Sequence, residues 1–98
     1  MLIVNYDKVD KFCRKRKTAH RSFEKWRAKT EAAEWRTFED VRKTFSTTDS
    51  VDKCVVFDIE RNEYRLIIKI YYDDGIVNIR KVLTHAQYDR DTWKPDCQ

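Results

Sequence analysis

The sequence predicts an α+β fold, in which a small antiparallel β-sheet carries N-terminal helices on one of its faces. Apolar residues recur at helical spacing in the first half of the chain, and from residue 53 they alternate with a period of two. The 98 residues include one glycine and one proline, so the chain lacks flexible linkers and fits a single domain, residues 1–98. Separate helical and strand halves are typical of the α+β class.

The first half of the chain contains three amphipathic segments. One helical face is formed by Val9, Phe12 and Cys13. Thr18 is suited to cap a second helix, and the predicted buried stripe of that helix consists of Ala19, Phe23, Trp26 and Thr30. A third, shorter segment carries Trp35, Phe38, Val41 and Phe45. Aromatic stripes at this spacing indicate a hydrophobic core.

The second half of the chain predicts strands joined by tight turns. Arg61-Asn62 and Asp74-Gly75 separate three alternating segments, and Asp-Gly is typical of a two-residue type I′ turn. If both turns have two residues, Phe57 lies opposite Leu66, and Ile70 lies opposite Ile79. Residues 2–4 predict a further short strand or the approach to a helix, and residues 46–50 predict a loop.

This register also predicts a polar face of the sheet. It places Arg65 opposite Thr84 and Lys69 opposite Arg80. Opposed like charges destabilise neighbouring strands, so a bound anion between Lys69 and Arg80 is one explanation, and splaying of both side chains into water is the other. If the last strand continued to His85, the alternation of side chains would direct His85 toward the core face. His85 therefore reaches the polar face only if the chain bends after the last strand.

The first third of the chain is strongly basic. The net charge is +4, the pI is about 9.0, and residues 14–17 have the sequence RKRK. Three interpretations remain open: a solvated helical surface, a nucleic-acid-binding surface, or a docking surface for an acidic protein.

The three cysteines, Cys13, Cys54 and Cys97, are odd in number and far apart in the sequence. No Cys/His cluster has the spacing of a zinc site, so we expect no metal. A reduced, cytoplasmic setting is expected. No apolar run is long enough to span a membrane and no signal peptide is evident, so we expect no membrane partner.

Side chains near the end of the last strand have the chemistry that metal-free RNA cleavage requires. Such cleavage needs a base for the 2′-OH proton, cations for the phosphorane-like transition state and an acid for the leaving 5′-oxygen. His85 suits acid or base chemistry near neutral pH, and Arg65 and Arg80 suit bidentate phosphate binding. Tyr88 suits a hydrogen bond to phosphate or, with a lowered pKa, proton transfer. No nucleotide-binding or cofactor motif is present, so no cofactor is expected.

Residues 55–89 resemble the HigB-type toxins of bacterial toxin–antitoxin modules, within the RelE-like mRNA interferase superfamily. The matching positions are Phe57, Ile59, Asn62, Tyr64, Arg65, Leu66, Ile79, Arg80, Thr84, His85, Tyr88 and Asp89. The first half is also similar, through Trp26, Trp35, Phe38 and Phe45. Arg61 stands where the family usually has glycine, which leaves the turn type open.

The resemblance implies a RelE-like fold and an endoribonuclease that cleaves mRNA on translating ribosomes and arrests growth. It implies a HigA-type helix-turn-helix antitoxin as partner, with operator DNA bound only through the antitoxin complex. The implied catalytic residues are His85, Arg65, Arg80 and Tyr88, and the implied RNA-binding residues are Asn62, Lys69, Lys81 and Thr84. Asp89 is expected to be structural. The alternative is a non-catalytic basic module that binds nucleic acid or protein.

Overall fold

The computed structural model describes every residue from 1 to 98 and contains four α-helices and one five-stranded sheet. The helices are α1 (Asp7–Arg14), α2 (Lys17–Ala32), α3 (Phe38–Thr44) and α4 (His85–Asp89). The strands are β1 (Leu2–Val4), β2 (Thr48–Val51), β3 (Cys54–Ile59), β4 (Tyr64–Tyr71) and β5 (Ile76–Thr84). Two 3₁₀ turns cover Tyr72–Asp74 and Lys94–Cys97. The predicted α+β class is therefore confirmed.

The strand order in the sheet is β1-β5-β4-β3-β2. The three predicted strands β3, β4 and β5 pair antiparallel as expected, and β2, which was not predicted, pairs antiparallel with β3. β1 joins the edge parallel to β5 and makes the sheet mixed. The loop prediction for residues 46–50 is wrong from Thr48 onward, because Thr48–Val51 pairs with β3. That strand has only four residues, and its polar side chains do not show the alternation of apolar residues that predicts a strand. It forms because its backbone pairs with the apolar strand β3.

One face of the sheet packs against α1, α2 and α3 and forms what we call the helix core. Its largest buried side chains include Trp26, Phe23 and Phe57. The predicted stripe of α2 is buried at all four positions, each at most 1% exposed. Thr18 is not the cap of this helix: the N-cap position is Arg16, and no side chain caps it. The absence of a cap bond leaves α2 dependent on its packed apolar face.

The turn between β4 and β5 differs from the predicted two-residue type I′ turn. The chain makes a 3₁₀ turn over Tyr72–Asp74, and Gly75 then takes a left-handed conformation with a φ of 67°. Ile70 consequently pairs with Val77 and not with Ile79. The Asp-Gly pair correctly predicted where the chain reverses direction. The turn is longer than predicted because it also includes Tyr72 and Asp73.

A β-bulge in β5 changes the register a second time. Ile68 pairs with Ile79 and Ile67 pairs with Lys81, so Arg80 is the additional residue of the bulge. One inserted residue exchanges the faces to which all later side chains of the strand point. The two pairs predicted across β4 and β5 on the polar face are wrong. The longer turn alone places Lys69 opposite Asn78, whereas the turn and the bulge together place Arg65 opposite Leu83 and Thr84 opposite Tyr64.

The other face of the sheet, which we call the outer face, is covered by the C-terminal residues. A second cluster of buried residues, the outer core, forms there and contains Cys54, Val56, Ile67, Trp93 and Cys97. Its presence explains why consecutive residues of β3 and β4 are apolar, since both faces of these strands are buried.

A disulfide joins Cys54 of β3 to Cys97 near the C-terminus, and Cys13 is free and buried. The expected reduced setting does not fit this bond, because persistent disulfides are rare in reducing compartments. The two cysteines are 43 residues apart in sequence, and only the folding of the C-terminal segment onto the outer face brings them together.

No helix of the structure has the length and apolar character that crossing a membrane requires.

Replacement of Gly75 by alanine is expected to lower the free energy of unfolding by about 1 kcal/mol, because an L-residue is strained at positive φ. A Cβ at this position would meet no atom within 4 Å, so the backbone conformation alone determines the cost. Gly75→Asn should cost less, because asparagine tolerates this conformation. Urea unfolding measures both variants, and equal loss in the two would contradict this explanation.

Candidate functional site

Arg65 lies at the start of β4 on the outer face and is almost fully buried, with 7% of the residue exposed. Its Nε lies 3.0 Å from Oδ1 of Asp58 on β3. Its Nη1 donates to the backbone oxygens of Asn62 at 2.9 Å and Tyr64 at 3.2 Å. A buried guanidinium needs such partners, because an unpaired buried charge costs several kcal/mol. These contacts hold Arg65 in one position.

Tyr88, on α4, links Arg65 to the C-terminal segment. Its ring lies under the Arg65 guanidinium, 5.0 Å from Cζ, and stacks on Trp93 with the ring centroids 4.9 Å apart. Burial raises the pKa of the Tyr88 hydroxyl, and Asp49 raises it further. The suggested lowering of this pKa is therefore wrong, and Tyr88 remains a hydrogen-bond donor at neutral pH. We call Asp58, Arg65, Tyr88 and Trp93 the Arg65 cluster.

His85 is the first residue of α4, directly after β5, so the required change of direction after the last strand is present. Thr84 caps the helix: its hydroxyl accepts from the backbone N–H of Gln87, whose side chain in turn accepts from the backbone N–H of Thr84. The backbone N–H of His85 donates to the oxygen of Glu63. Thr84 is thus a structural cap, which sets the direction in which His85 leaves the sheet.

The His85 imidazole pairs with Asp89 one turn later on α4. Its Nδ1 lies 3.1 Å from Oδ2 of Asp89, and 51% of the His85 side chain is exposed. A carboxylate on Nδ1 selects the tautomer whose Nε2 lone pair is free. Asp89, which was expected to be structural, therefore orients the imidazole. Its i, i+4 spacing from His85 could have predicted this pairing from the sequence.

Arg80 makes a bidentate ion pair with Asp96. Its Nε and Nη2 donate to the two carboxylate oxygens at 2.8 and 2.7 Å. The hydrogen bonds that Arg80 donates hold the pKa of the Asp96 carboxyl below its usual value, and the same bonds, with the negative charge of Asp96, raise the pKa of Arg80. About a third of each side chain or less is exposed, 31% for Arg80 and 26% for Asp96. Asp96 was absent from the predicted site.

The positive charges of Lys69 and Lys81 also lower the pKa of Asp96, although neither lysine forms an ion pair with it. We call Lys69, Arg80, Lys81 and Asp96 the Asp96 cluster. Lys69 and Arg80 are not cross-strand neighbours, so the predicted like-charge clash is absent, although both belong to this cluster. Asn62 lies in the β3–β4 turn with a φ of 78°, and its backbone oxygen rather than its side chain contacts Arg65.

The structure thus divides the predicted residues between two clusters on one face. Arg65 and Tyr88 are in contact, with His85 three residues before Tyr88 on the same short helix. Arg80, Lys69 and Lys81 gather separately at Asp96. The residues that sequence reasoning missed include Trp93 and Asp96, both in the C-terminal segment that closes this face.

A family model described as HigB_toxin, RelE-like toxic component of a toxin-antitoxin system, matches residues 19–91, about three quarters of the chain. The match includes every predicted site residue and ends before Trp93 and Asp96. No curated protein matches this chain.

The Arg80–Asp96 pair predicts a pH-dependent contribution to stability. A carboxyl with a lowered folded-state pKa contributes stability above its unfolded pKa of about 3.9, and loses it as the pH falls through the folded value. Asp96→Asn should therefore destabilise by about 1 kcal/mol at neutral pH, allowing for the partial exposure of the pair, and by much less near pH 2.

Urea unfolding of the oxidised protein between about pH 2 and pH 7 measures this difference. Asp91→Asn is the matched control, because Asp91 is in the same segment and pairs with Lys94 at an exposed site. A cost of Asp96→Asn that stayed constant over the whole pH range would contradict the ion-pair explanation.

Proposed function

The chain belongs to the RelE-like HigB toxin family of toxin–antitoxin systems, and we propose that it is an endoribonuclease that cleaves mRNA without a metal ion and so inhibits translation and growth. The observation that carries the proposal is the His85–Asp89 pair at the end of β5. It presents an exposed, oriented imidazole at the start of α4, while the cations of the Asp96 cluster lie earlier on the adjoining strands. A base and phosphate-binding cations are the groups that phosphodiester cleavage requires.

In the proposed reaction, the 2′-OH of a nucleotide attacks the adjacent phosphorus and the P–O5′ bond breaks. The products are a 2′,3′-cyclic phosphate and a free 5′-hydroxyl. Nε2 of His85 exchanges the proton with the reacting oxygens as general acid or base, and Asp89 keeps that nitrogen directed outward. The positive charges of Arg80, Lys69 and Lys81 attract and stabilise the phosphate.

The Arg65 cluster has a different part in this proposal. Arg65 is held by Asp58 and by two backbone oxygens, so it positions Tyr88 and supplies a fixed positive charge. The Tyr88 hydroxyl, which stays protonated, donates a hydrogen bond to phosphate or base. Asn62 and Thr84 contribute by shaping the turn and the helix start beside the RNA.

Membership of the family implies an antitoxin partner. We propose that this antitoxin is of the HigA type, and that operator DNA is bound only by the complex. We propose further that the mRNA is cleaved on the ribosome, because proteins read RNA sequence mainly in single-stranded, splayed regions. This substrate places the protein in the cytoplasm, where the Cys54–Cys97 disulfide would be reversible rather than permanent.

His85→Ala is expected to reduce mRNA cleavage by about 10²-fold to 10⁴-fold, the usual contribution of a general acid or base. Primer extension on mRNA with and without ribosomes measures the cleavage. The matched control is His20→Ala, since His20 makes the same kind of exposed i, i+4 pair, with Glu24 at 3.0 Å. If His85→Ala cleaved at the wild-type rate, the catalytic assignment would fail, and the non-catalytic binding module would be favoured.

Asp89→Asn should lower kcat on the order of tenfold with little change in KM, because an exposed carboxylate orients the base without binding RNA. Asp89→Glu should restore part of the activity, which a loss of helix stability alone would not produce, and Glu24→Gln is the control for removal of a carboxylate paired with histidine. A kcat of Asp89→Asn equal to that of the wild type would argue against orientation.

A further inference from the structure

Residues 91–98, which we call the C-terminal strap, are fastened to the outer face at several points. The Trp93 side chain is 1% exposed, stacks on Tyr88 and donates from Nε1 to the Tyr88 backbone oxygen at 2.9 Å. The Cys97 oxygen accepts from the backbone N–H of Lys53 at 2.8 Å, and its sulfur is bonded to Cys54. The strap is thus part of the folded domain.

The strap brings a carboxylate to a group of cations. Asp96 accepts both hydrogen bonds of a planar Arg80 fork, the geometry in which arginine also binds phosphate. Lys81 follows Arg80 on β5, and Lys69 lies opposite Asn78 on the neighbouring strand, so both lysines are close to Arg80 along the sheet. The cations in this part of the sheet outnumber the one carboxylate that pairs with Arg80, so it still attracts anions.

The location of this cluster makes exchange of the anion feasible. Both Arg80 and Asp96 are partly exposed, so an incoming phosphate reaches the guanidinium without crossing the outer core. Asp96 also lies near the end of the chain, beyond Trp93, so the last residues of the strap can lose contact while Trp93 keeps the outer core covered. A buried structural ion pair would have neither property.

We propose that Lys69, Arg80 and Lys81 form an RNA phosphate-binding site that Asp96 occupies as an internal competitor, with the Cys54–Cys97 disulfide as the latch that holds Asp96 in place. This inference rests on the proposed RNA substrate and adds a regulation of that same face. In the oxidised protein the strap lowers the affinity for RNA. Reduction lets the last residues of the strap fray while Trp93 stays packed on Tyr88, and phosphate replaces the carboxylate.

The reduction step needs a dithiol as co-reactant. One thiolate of the dithiol attacks a sulfur of the Cys54–Cys97 bond and forms a mixed disulfide, and its second thiol then displaces the remaining cysteine. The dithiol becomes a disulfide, and two electrons and two protons pass to Cys54 and Cys97. Both cysteine residues are fully buried, so attack requires prior fraying of the strap.

The test measures binding of a fluorescent 2′-O-methyl RNA by anisotropy, since this RNA lacks the attacking hydroxyl and remains intact. Under oxidising conditions Asp96→Asn should bind about fivefold to tenfold more tightly than wild type, because a charged competitor is removed. Its log–log salt dependence should steepen by about 0.7 for each additional phosphate bound. Asp91→Asn, which removes the same charge from the strap, should change the affinity by less than roughly twofold.

The latch is tested with dithiothreitol. Wild type should gain affinity on reduction, whereas Cys97→Ser should bind tightly with or without reductant. If Cys97→Ser does not fold, reduction of the wild type and of Asp96→Asn supplies the same comparison, and the reduced pair should differ less than the oxidised pair. Thermal unfolding confirms that each protein is folded at the assay temperature.

Two outcomes would overturn the proposal. One is equal affinity of Asp96→Asn and Asp91→Asn, which would make Asp96 a structural partner only. The other is a wild-type affinity that reduction leaves unchanged, which would remove the latch. Failure of the proposed function is separately visible, because a wild type that cannot cleave unmodified mRNA fails in the primer-extension assay whatever its affinity for 2′-O-methyl RNA.

Discussion

Burial of β3 and β4 on both faces is the constraint on which the rest of this structure depends. Leu66 and Ile68 enter the helix core, while Ile67 between them enters the outer core. A strand of this kind needs cover on both sides, because each exposed apolar side chain would forfeit about 1.5–3 kcal/mol of burial. Helices α1, α2 and α3 cover one side, and the C-terminal strap covers the other together with Tyr88 of α4, with Trp93 as its main apolar contribution.

The need for a cover on the outer face also determines the electrostatics there. Arg65 is buried among the residues that the strap and α4 enclose, so it is tied to Asp58 and to backbone oxygens. Arg80 lies nearer the solvent, where the strap supplies Asp96. Two arginines that look equivalent in sequence therefore differ in their surroundings: Arg65 lies against the Tyr88 ring, and Arg80 pairs with a partly exposed carboxylate.

The β-bulge at Arg80 connects the packing to the site. By inserting one residue, it turns Val82 toward the helix core and Leu83 toward the outer core. The strand then ends at Thr84, whose capping interactions begin α4 and direct His85 away from the sheet. A bulge next to a functional site is a common way to redirect side chains. In this chain the bulge lets Val82 and Leu83 pack against the two cores while His85, at the start of α4, remains exposed.

The sequence by itself determined the α+β class, the apolar stripe of α2 and the register of the β3–β4 hairpin, because periodicity and short motifs are local properties. The prediction of His85 and Tyr88 as site residues rests on the same kind of local motif. The sequence did not show the strand Thr48–Val51, the lengthened turn before Gly75 or the bulge at Arg80, since these depend on which backbone lies alongside. The pairing of Cys54 with Cys97 and of Arg80 with Asp96 was likewise decided by tertiary structure. Both pairs form only when the C-terminal residues fold back to bury the outer face, a requirement that no local pattern encodes.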